Sequence, residues 1–175
     1  MARIGTVLGQ YVSMVSVRIL SEDDWAVYRD LRLDALRDSP QSVGGNLARE
    51  EGFQERHWRL RLRGSTSFVA EHDGRPLGLV NVIQEPGTPV DERLIMSLWV
   101  RPFERSAGVG GALIHAAAEW AREQAAARLC AWVAQDDGKG QAVARRKGFT
   151  PTDEVVALVR DPQRSERRWV LELAN

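Results

Sequence analysis

Leu98-Trp99-Val100-Arg101-Pro102-Phe103-Glu104-Arg105-Ser106-Ala107-Gly108-Val109-Gly110-Gly111-Ala112-Leu113 is the stretch on which the fold turns. The apolar run Arg93 to Val100 has the length and character of a central strand and ends at Pro102. From Gly108 a long helix is predicted, with Val109, Leu113, Ala117, Trp120 and Ala121 on one face. Arg105 to Gly110 therefore opens a helix directly after a buried strand. The first four N–H groups of a helix have no intrahelical acceptor, and the helix dipole adds partial positive charge there. Such a turn suits an anion. Gly108 and Gly110 let a phosphate approach without a Cβ in the way, and Arg105 adds a full charge and a forked donor. The competing reading is that these glycines only cap and pack the helix. Two other phosphate motifs fail. A dinucleotide fingerprint needs glycine where Leu113 stands, and no Gly-Lys-Ser/Thr loop occurs, which disfavours an oxidoreductase.

Upstream, Val15 to Leu20 alternates like a half-buried strand and ends at Ser21, an N-cap for a helix carrying Trp25, Tyr28, Arg32, Ala35 and Leu36. Asp38-Ser39-Pro40 stops that helix, and a second is expected from about Leu47 through Trp58 to Leu62. Ser67 to Glu71 and Pro76 to Ile83 read as a hairpin about Asp73-Gly74, a pair suited to a tight primed turn. Downstream follow a buried strand from Leu129 to Val133, a short helix from Gly138 to Lys147 closed by Gly148, and two strands at Val155 to Val159 and Trp169 to Leu173. The charged stretch Arg164 to Arg168 is expected to be a solvated hairpin tip.

Lys plus Arg and Asp plus Glu are balanced at 24 each, so no net field favours a nucleic-acid backbone or an anionic membrane. Neither is an expected partner. No apolar run is long enough for a transmembrane helix, Met1 to Met14 lacks a signal-peptide cleavage pattern, and a cytoplasmic protein is expected. Residues 1–14 are taken as a loosely held extension, and 15–175 as a single domain. The one cysteine, Cys130, lies in an apolar run and reads as a buried thiol. His57, His72 and His115 lack metal-ligand spacing, so no metal site is expected.

The order of these motifs resembles the GNAT superfamily of N-acetyltransferases. The resemblance rests on Leu98-Trp99-Val100-Arg101-Pro102, the R/Q-x-x-G-x-G/A turn Arg105 to Gly110, Ala131-Trp132-Val133 and Lys147-Gly148-Phe149. It implies an α+β, three-layer fold: a mixed, mostly antiparallel sheet of about seven strands flanked by about four helices, with two splayed parallel strands. It also implies acetyl-CoA as donor and a small amine as acceptor. By the same resemblance the backbone of Leu98, Trp99 and Val100 pairs with pantetheine, and the amides of Arg105, Ser106, Ala107, Gly108, Val109 and Gly110 hold the pyrophosphate. Asp137 stands where many members have an asparagine touching the cofactor, and Ala144 where they have the tyrosine assigned as general acid. Ser106 replaces a frequent glycine.

Amine acylation needs a base, because an amine with a lysine-like pKa of about 10.4 is almost all ammonium at pH 7. The candidates are Glu92 at the start of the central strand, and Glu50, Glu51 or Glu55 on the second helix, with Ser97 to orient substrate or water. A water chain is the alternative. A thiol leaving as thiolate forgoes about 1.5 pKa units at pH 7, roughly 2 kcal/mol, so loss of the tyrosine need not abolish turnover. Direct attack in a ternary complex is expected. The competing functions are a catalytically silent acetyl-CoA sensor and a transferase of longer acyl groups, the latter disfavoured by the bulk of Met96 and Trp132. Exposed tryptophans would point to a homodimer.

Overall fold

A computed structural model describes residues 14–173. The expectation for the N-terminal extension thus lies, apart from Met14, outside the described residues. The strands are β1 (Ser16–Ile19), β2 (Thr66–His72), β3 (Arg75–Ile83), β4 (Glu92–Val100), β5 (Arg128–Ala134), β6 (Thr150–Leu158) and β7 (Asp161–Glu172). The helices are α1 (Trp25–Asp38), α2 (Pro40–Val43), α3 (Leu47–Glu51), α4 (Glu55–Gly64), α5 (Val109–Glu123) and α6 (Gly138–Arg146). The strands follow the order β1-β2-β3-β4-β5-β7-β6 in one seven-stranded sheet. β4 and β5 are parallel, whereas β1 with β2, β2 with β3, β5 with β7 and β6 with β7 are antiparallel. This is the expected mixed α+β fold. The parallel register runs from Glu92↔Arg128 to Ile95↔Ala131, although β4 continues to Val100 and β5 to Ala134.

Six described helices replace the expected four, for local reasons. Pro40 cannot continue α1 but suits the first turn of a helix, so α2 begins there. The single helix expected over Leu47 to Leu62 is broken at Gly52. The Asn46 side chain accepts from the Arg49 amide to start α3, and His57 Nδ1 accepts from the Gln54 amide at 3.0 Å to start α4. The Asp73-Gly74 turn has positive φ at both residues, 49° and 72°, as a primed hairpin requires.

The described chain divides into two compact units, one ending at Val82 and including Ser97–Ala117, the other formed by Ile83–Met96 and the residues from Ala118 onward. In the first, Leu20, Tyr28, Leu31, Ala35, Leu36, Trp58, Leu62, Val69, Leu79 and Trp99 form a continuous apolar core. Beside it lies a buried ion pair. Arg32 and Glu50 are 5% and 3% exposed. Arg32 Nε donates to Glu50 Oε2 at 2.9 Å and Nη2 to Oε1 at 3.0 Å, while Arg61 Nη1 donates to Oε2 at 2.9 Å. Arg32 also donates to the carbonyls of Val43 and Gly44. A Cβ on Gly45 would collide with the Arg32 guanidinium and come 2.7 Å from Glu50 Oε1, so the α2–α3 corner needs glycine to close over this pair. Glu50 is therefore no solvated carboxylate, whereas Glu51 and Glu55 are exposed and pair with Arg37 and Arg59.

In the second unit, Leu129, Cys130, Phe149, Trp169 and Leu173 are buried. The expected solvated tip at Arg164 to Arg168 is instead the middle of β7. Its three arginines each find a partner: Arg164 pairs with Asp136, Arg167 donates to the Thr152 carbonyl, and Arg168 is buried among carboxylates. A polar strand was hidden because its ion-pair partners lie on other segments. None of the six tryptophans is exposed, so the sign that would have pointed to a dimer is not there. No helix of the described residues is long and apolar enough to cross a membrane.

Glu50→Ala leaves Arg32 buried without its counter-charge and should lower the unfolding free energy by about 3–5 kcal/mol in urea titrations. A loss below about 1 kcal/mol, the range of exposed pairs, would show that the pair does not hold this corner.

Candidate active site

Between Pro102–Glu104, a single 3-10 turn, and α5, the chain reverses through Arg105 to Gly108. Ser106 and Gly108 both have positive φ, 67° and 83°. Glycine adopts this conformation without penalty, whereas a serine pays about 1–2 kcal/mol of steric strain, which gives the serine-for-glycine departure a physical meaning. The result is a concave row of amides. The Gly108 carbonyl accepts the first helical bond, from Ala112 at 3.0 Å. Among the described residues, the amides of Ser106, Ala107, Gly108, Val109, Gly110 and Gly111 donate to no protein acceptor. Ser106 and Gly108 are exposed, Ala107, Gly110 and Gly111 half-buried and Val109 buried. A Cβ on Gly110 would meet only Val100 Cγ2, at 3.6 Å, so protein packing does not demand glycine there. The residues present thus fit a bound diphosphate: a run of successive amide donors that the protein itself does not engage.

Arg105 does not leave its whole guanidinium free for an anion at this turn. Nε donates to the Val100 carbonyl at 2.9 Å, and one terminal nitrogen pairs with Asp38 at the end of α1. Asp38 also accepts from Trp99 Nε1 at 2.8 Å and Ser39 Oγ at 2.5 Å. Hydrogen bonds from Ser39, Trp99 and Arg105, in that order of weight, hold the Asp38 carboxyl well below its usual range, at about 2. One carboxylate therefore ties the end of α1 to the end of β4 and the foot of the turn. In the sequence Asp38 reads only as a helix stop, because Trp99 and Arg105, which it ties together, lie more than sixty positions away.

Within β4, Ser97 has φ 55°. A left-handed residue inside a strand is the conformation characteristic of a β-bulge, and here it falls between exposed Met96 and buried Trp99. The Ser97 hydroxyl accepts from Arg32 Nη1 at 3.1 Å and donates to the Val43 carbonyl at 3.4 Å. These bonds offset the strain and hold the hydroxyl toward α1 and α2. Leu98 and Val100 are half-buried and Trp99 is buried.

The second unit contains the other sequence candidates. Glu92 is buried, with Arg128 Nη1 at 2.8 Å from Oε1 and Arg168 Nη2 at 2.6 Å from Oε2. Both its oxygens accept from guanidinium groups, which makes it an anchor for two arginines. Cys130 lies against it, Sγ to Oε2 3.9 Å, and burial pushes that thiol's proton affinity up. Asp137 caps α6, its Oδ1 accepting from the Gly140 amide at 2.9 Å. Ala144 is buried. The structure therefore gathers Leu98 to Val100 and Arg105 to Gly110 within one unit, and describes Glu92 and Asp137 in the other.

The model of the Acetyltransferase (GNAT) family matches residues 24–149, and the chain belongs to that family. Acetyl transfer is the reaction the family implies. No curated protein matched. Among solved structures, an acetyltransferase of the GNAT family from Streptococcus pneumoniae is similar with TM-score 0.74 and 14% identity, covering 91% of this chain and 99% of that one. The ribosomal-protein-alanine N-acetyltransferase of Brucella melitensis gives TM-score 0.71 and 22% identity over 90% and 99%. Nourseothricin acetyltransferase gives TM-score 0.56 and 27% identity over 63% of this chain and 66% of that one. The first two likenesses speak for the fold.

Two outcomes test this geometry. Gly110→Asp places a carboxylate among the amides, where it suits the helix dipole yet repels a phosphate. Thermal unfolding should keep or raise the midpoint while calorimetry shows at least a tenfold loss of acetyl-CoA affinity; wild-type affinity would contradict the site. Asp38 has a depressed pKa, so its stabilisation is present above the ordinary value of 3.8 and is lost as pH falls through about 2. Asp38→Asn should therefore be less stable than wild type at pH 7, with the gap closing across that window; a constant gap would contradict the assignment.

Proposed function

We propose that the chain transfers an acetyl group from acetyl-CoA to a primary amine of a small molecule or peptide, by direct attack in a ternary complex. The observation that carries the reading is the run of unpartnered amides from Ser106 to Gly111. With the amide of Arg105 at its edge, this row would hold the pyrophosphate, and the backbone of Leu98, Trp99 and Val100 would take the pantetheine amides as an added strand. Asp137 is a weaker candidate for cofactor contact, since its carboxylate already caps α6. The donor, once bound, supplies an activated thioester carbonyl.

The chain's own residues limit how transfer proceeds. Cys130 is fully buried and its thiol is held protonated by that burial, which supports transfer without an acyl-enzyme. Glu92 is buried and held by two arginines, and the Ser97 hydroxyl is engaged by Arg32 and the Val43 carbonyl, which disfavours either as the group that takes the amine's proton. The bulk of Met96 and half-buried Trp132 favours acetyl over longer groups. A second reading, a silent acetyl-CoA sensor, is favoured by one observation: the family's general-acid position is the buried methyl of Ala144.

A thiol-release assay with acetyl-CoA should separate the two readings. Polyamines, amino acids, aminoglycosides and peptide N-termini are the acceptor classes to try, with nourseothricin and alanine-terminated peptides suggested by the structural relatives. CoA release with one class is expected. Acetyl-CoA binding without release for any class would support the sensor, and mass spectrometry finding acetylated Cys130 during turnover would overturn direct transfer.

A further inference from the structure

Arg167 and Trp169 stand two residues apart on β7, opposite Val133 and Ala131 of β5, and so share one face of the second unit. α6 covers that face. Gln141 and Arg145 are one helical turn apart on it, and the Arg145 guanidinium lies 5.1 Å above the centre of the Trp169 ring. Between helix and strands is a cavity of about 320 Å3, lined in part by Gln135, Gln141, Arg145, Asp153, Arg167 and Trp169. That is the small end of the roughly 300–1,000 Å3 that ligand sites occupy. All the residues that line it belong to this one unit.

The polar groups of this cavity are largely unspent. Elsewhere in the unit arginine meets carboxylate: Arg128 and Arg168 pair with Glu92, and Arg164 with Asp136. Arg145 and Arg167 do not. Among the described residues the Arg145 side chain has only the Trp169 ring, and that of Arg167 only the Thr152 carbonyl, reached through Nη1 at 2.6 Å. Gln135 Oε1 accepts from Ser165 Oγ at 2.5 Å, which leaves its amide nitrogen to donate, while the Gln141 nitrogen donates to the carbonyls of Ala134 and Gln135, which leaves its oxygen to accept. Trp169 is 2% exposed, and its indole N–H has no acceptor among the described residues. Trp58 Nε1 is sealed in the core in that condition, whereas the Trp169 nitrogen is not sealed. A buried donor without an acceptor costs free energy, and two guanidinium groups lining one cavity are an unfavourable pair. An anion would relieve both. Asp153, exposed and without an ion-pair partner, adds one acceptor to the lining.

We propose that this cavity is a binding site for a small organic carboxylate that also carries an ammonium or hydroxyl group, an amino acid or a hydroxy acid. The carboxylate is met by Arg145 and Arg167, whose forked N–H groups match its two oxygens, with the Gln135 amide and the Trp169 indole N–H as further donors. Its second group faces the acceptors, the Gln141 oxygen and Asp153. The volume and the indole leave room for a carbon body, which inorganic phosphate lacks. The site takes no part in the acetyl-transfer reading and stands or falls without it.

Titration of glutamate, malate, succinate and inorganic phosphate into 15N-labelled protein, read at the Trp169 indole resonance, tests the proposal. Glutamate or malate should move that resonance along a saturating curve and raise the thermal midpoint, and the tighter of the two tells ammonium from hydroxyl. Succinate, which lacks the second group, and phosphate should bind about tenfold more weakly or worse. Arg145→Gln should weaken the tighter acid by about tenfold or more, and Asp153→Asn should weaken it as well. Arg145 is exposed and its side chain makes no hydrogen bond among the described residues, so that variant reports on binding even where Arg167→Gln, which loses the Thr152 carbonyl, unfolds. A Trp169 resonance that neither acid moves, phosphate binding as tight as either acid, or binding indifferent to Arg145→Gln or to Asp153→Asn would overturn the proposal.

Discussion

A helix cannot hydrogen-bond the amides of its own first turn, and the rest of this molecule can be read as a response to that constraint at α5. Most helices satisfy some of those amides with a capping side chain. Here the residues that could cap α5 are Ser106, Ala107 and Gly108, and two of them are turned into the left-handed region, which leaves successive N–H groups without a protein acceptor. The surrounding chain holds the turn from beneath. Arg105 is drawn back onto the Val100 carbonyl and Asp38, and Asp38 takes the Trp99 indole as well. The charged side chain with the greatest apparent value to a phosphate is thus used partly to fix the backbone that would bind it.

Charge is allotted in the same manner elsewhere. Arg32 fills Glu50, two loop carbonyls and the hydroxyl at the β4 bulge, so the strained Ser97 backbone and the α2–α3 corner share one support. Arg168 serves Glu85 and Glu92 and approaches Glu154. A buried guanidinium with several acceptors fixes geometry at little net gain in stability, because desolvation offsets most of the attraction.

Much of this was legible from residue order. Strand period, the Asp73-Gly74 turn, and the step from an apolar strand to a glycine-bearing helix start are local signals, and β1 to β5 and α5 appear within a residue or two of their expected limits, whereas β6 and β7 begin at Thr150 and Asp161, well before the expected Val155 and Trp169. What escaped was non-local. The helix expected across Leu47 to Leu62 splits because Asn46 and His57 cap separate turns, and the charged run Arg164 to Arg168 is a strand because its partners come from β3, β4 and β5 flanks. Ser97 carries no sequence mark of its left-handed backbone, since the apolar pattern passes through it without a glycine. Ser106 does carry one, because family members often place glycine there. Of the proposed contacts to acetyl-CoA, the turn could be read from sequence, whereas the role of Asp38 beneath it could not.

The central claim is that the amides from Ser106 to Gly111 grip a diphosphate. The most direct measurement is a titration of acetyl-CoA into 15N-labelled protein, followed through the amide resonances of those six residues. Occupation of the row predicts that they shift together, with one saturation curve, and that adenosine diphosphate moves the same set. Resonances of Ser106 to Gly111 that stay in place while others respond would contradict it.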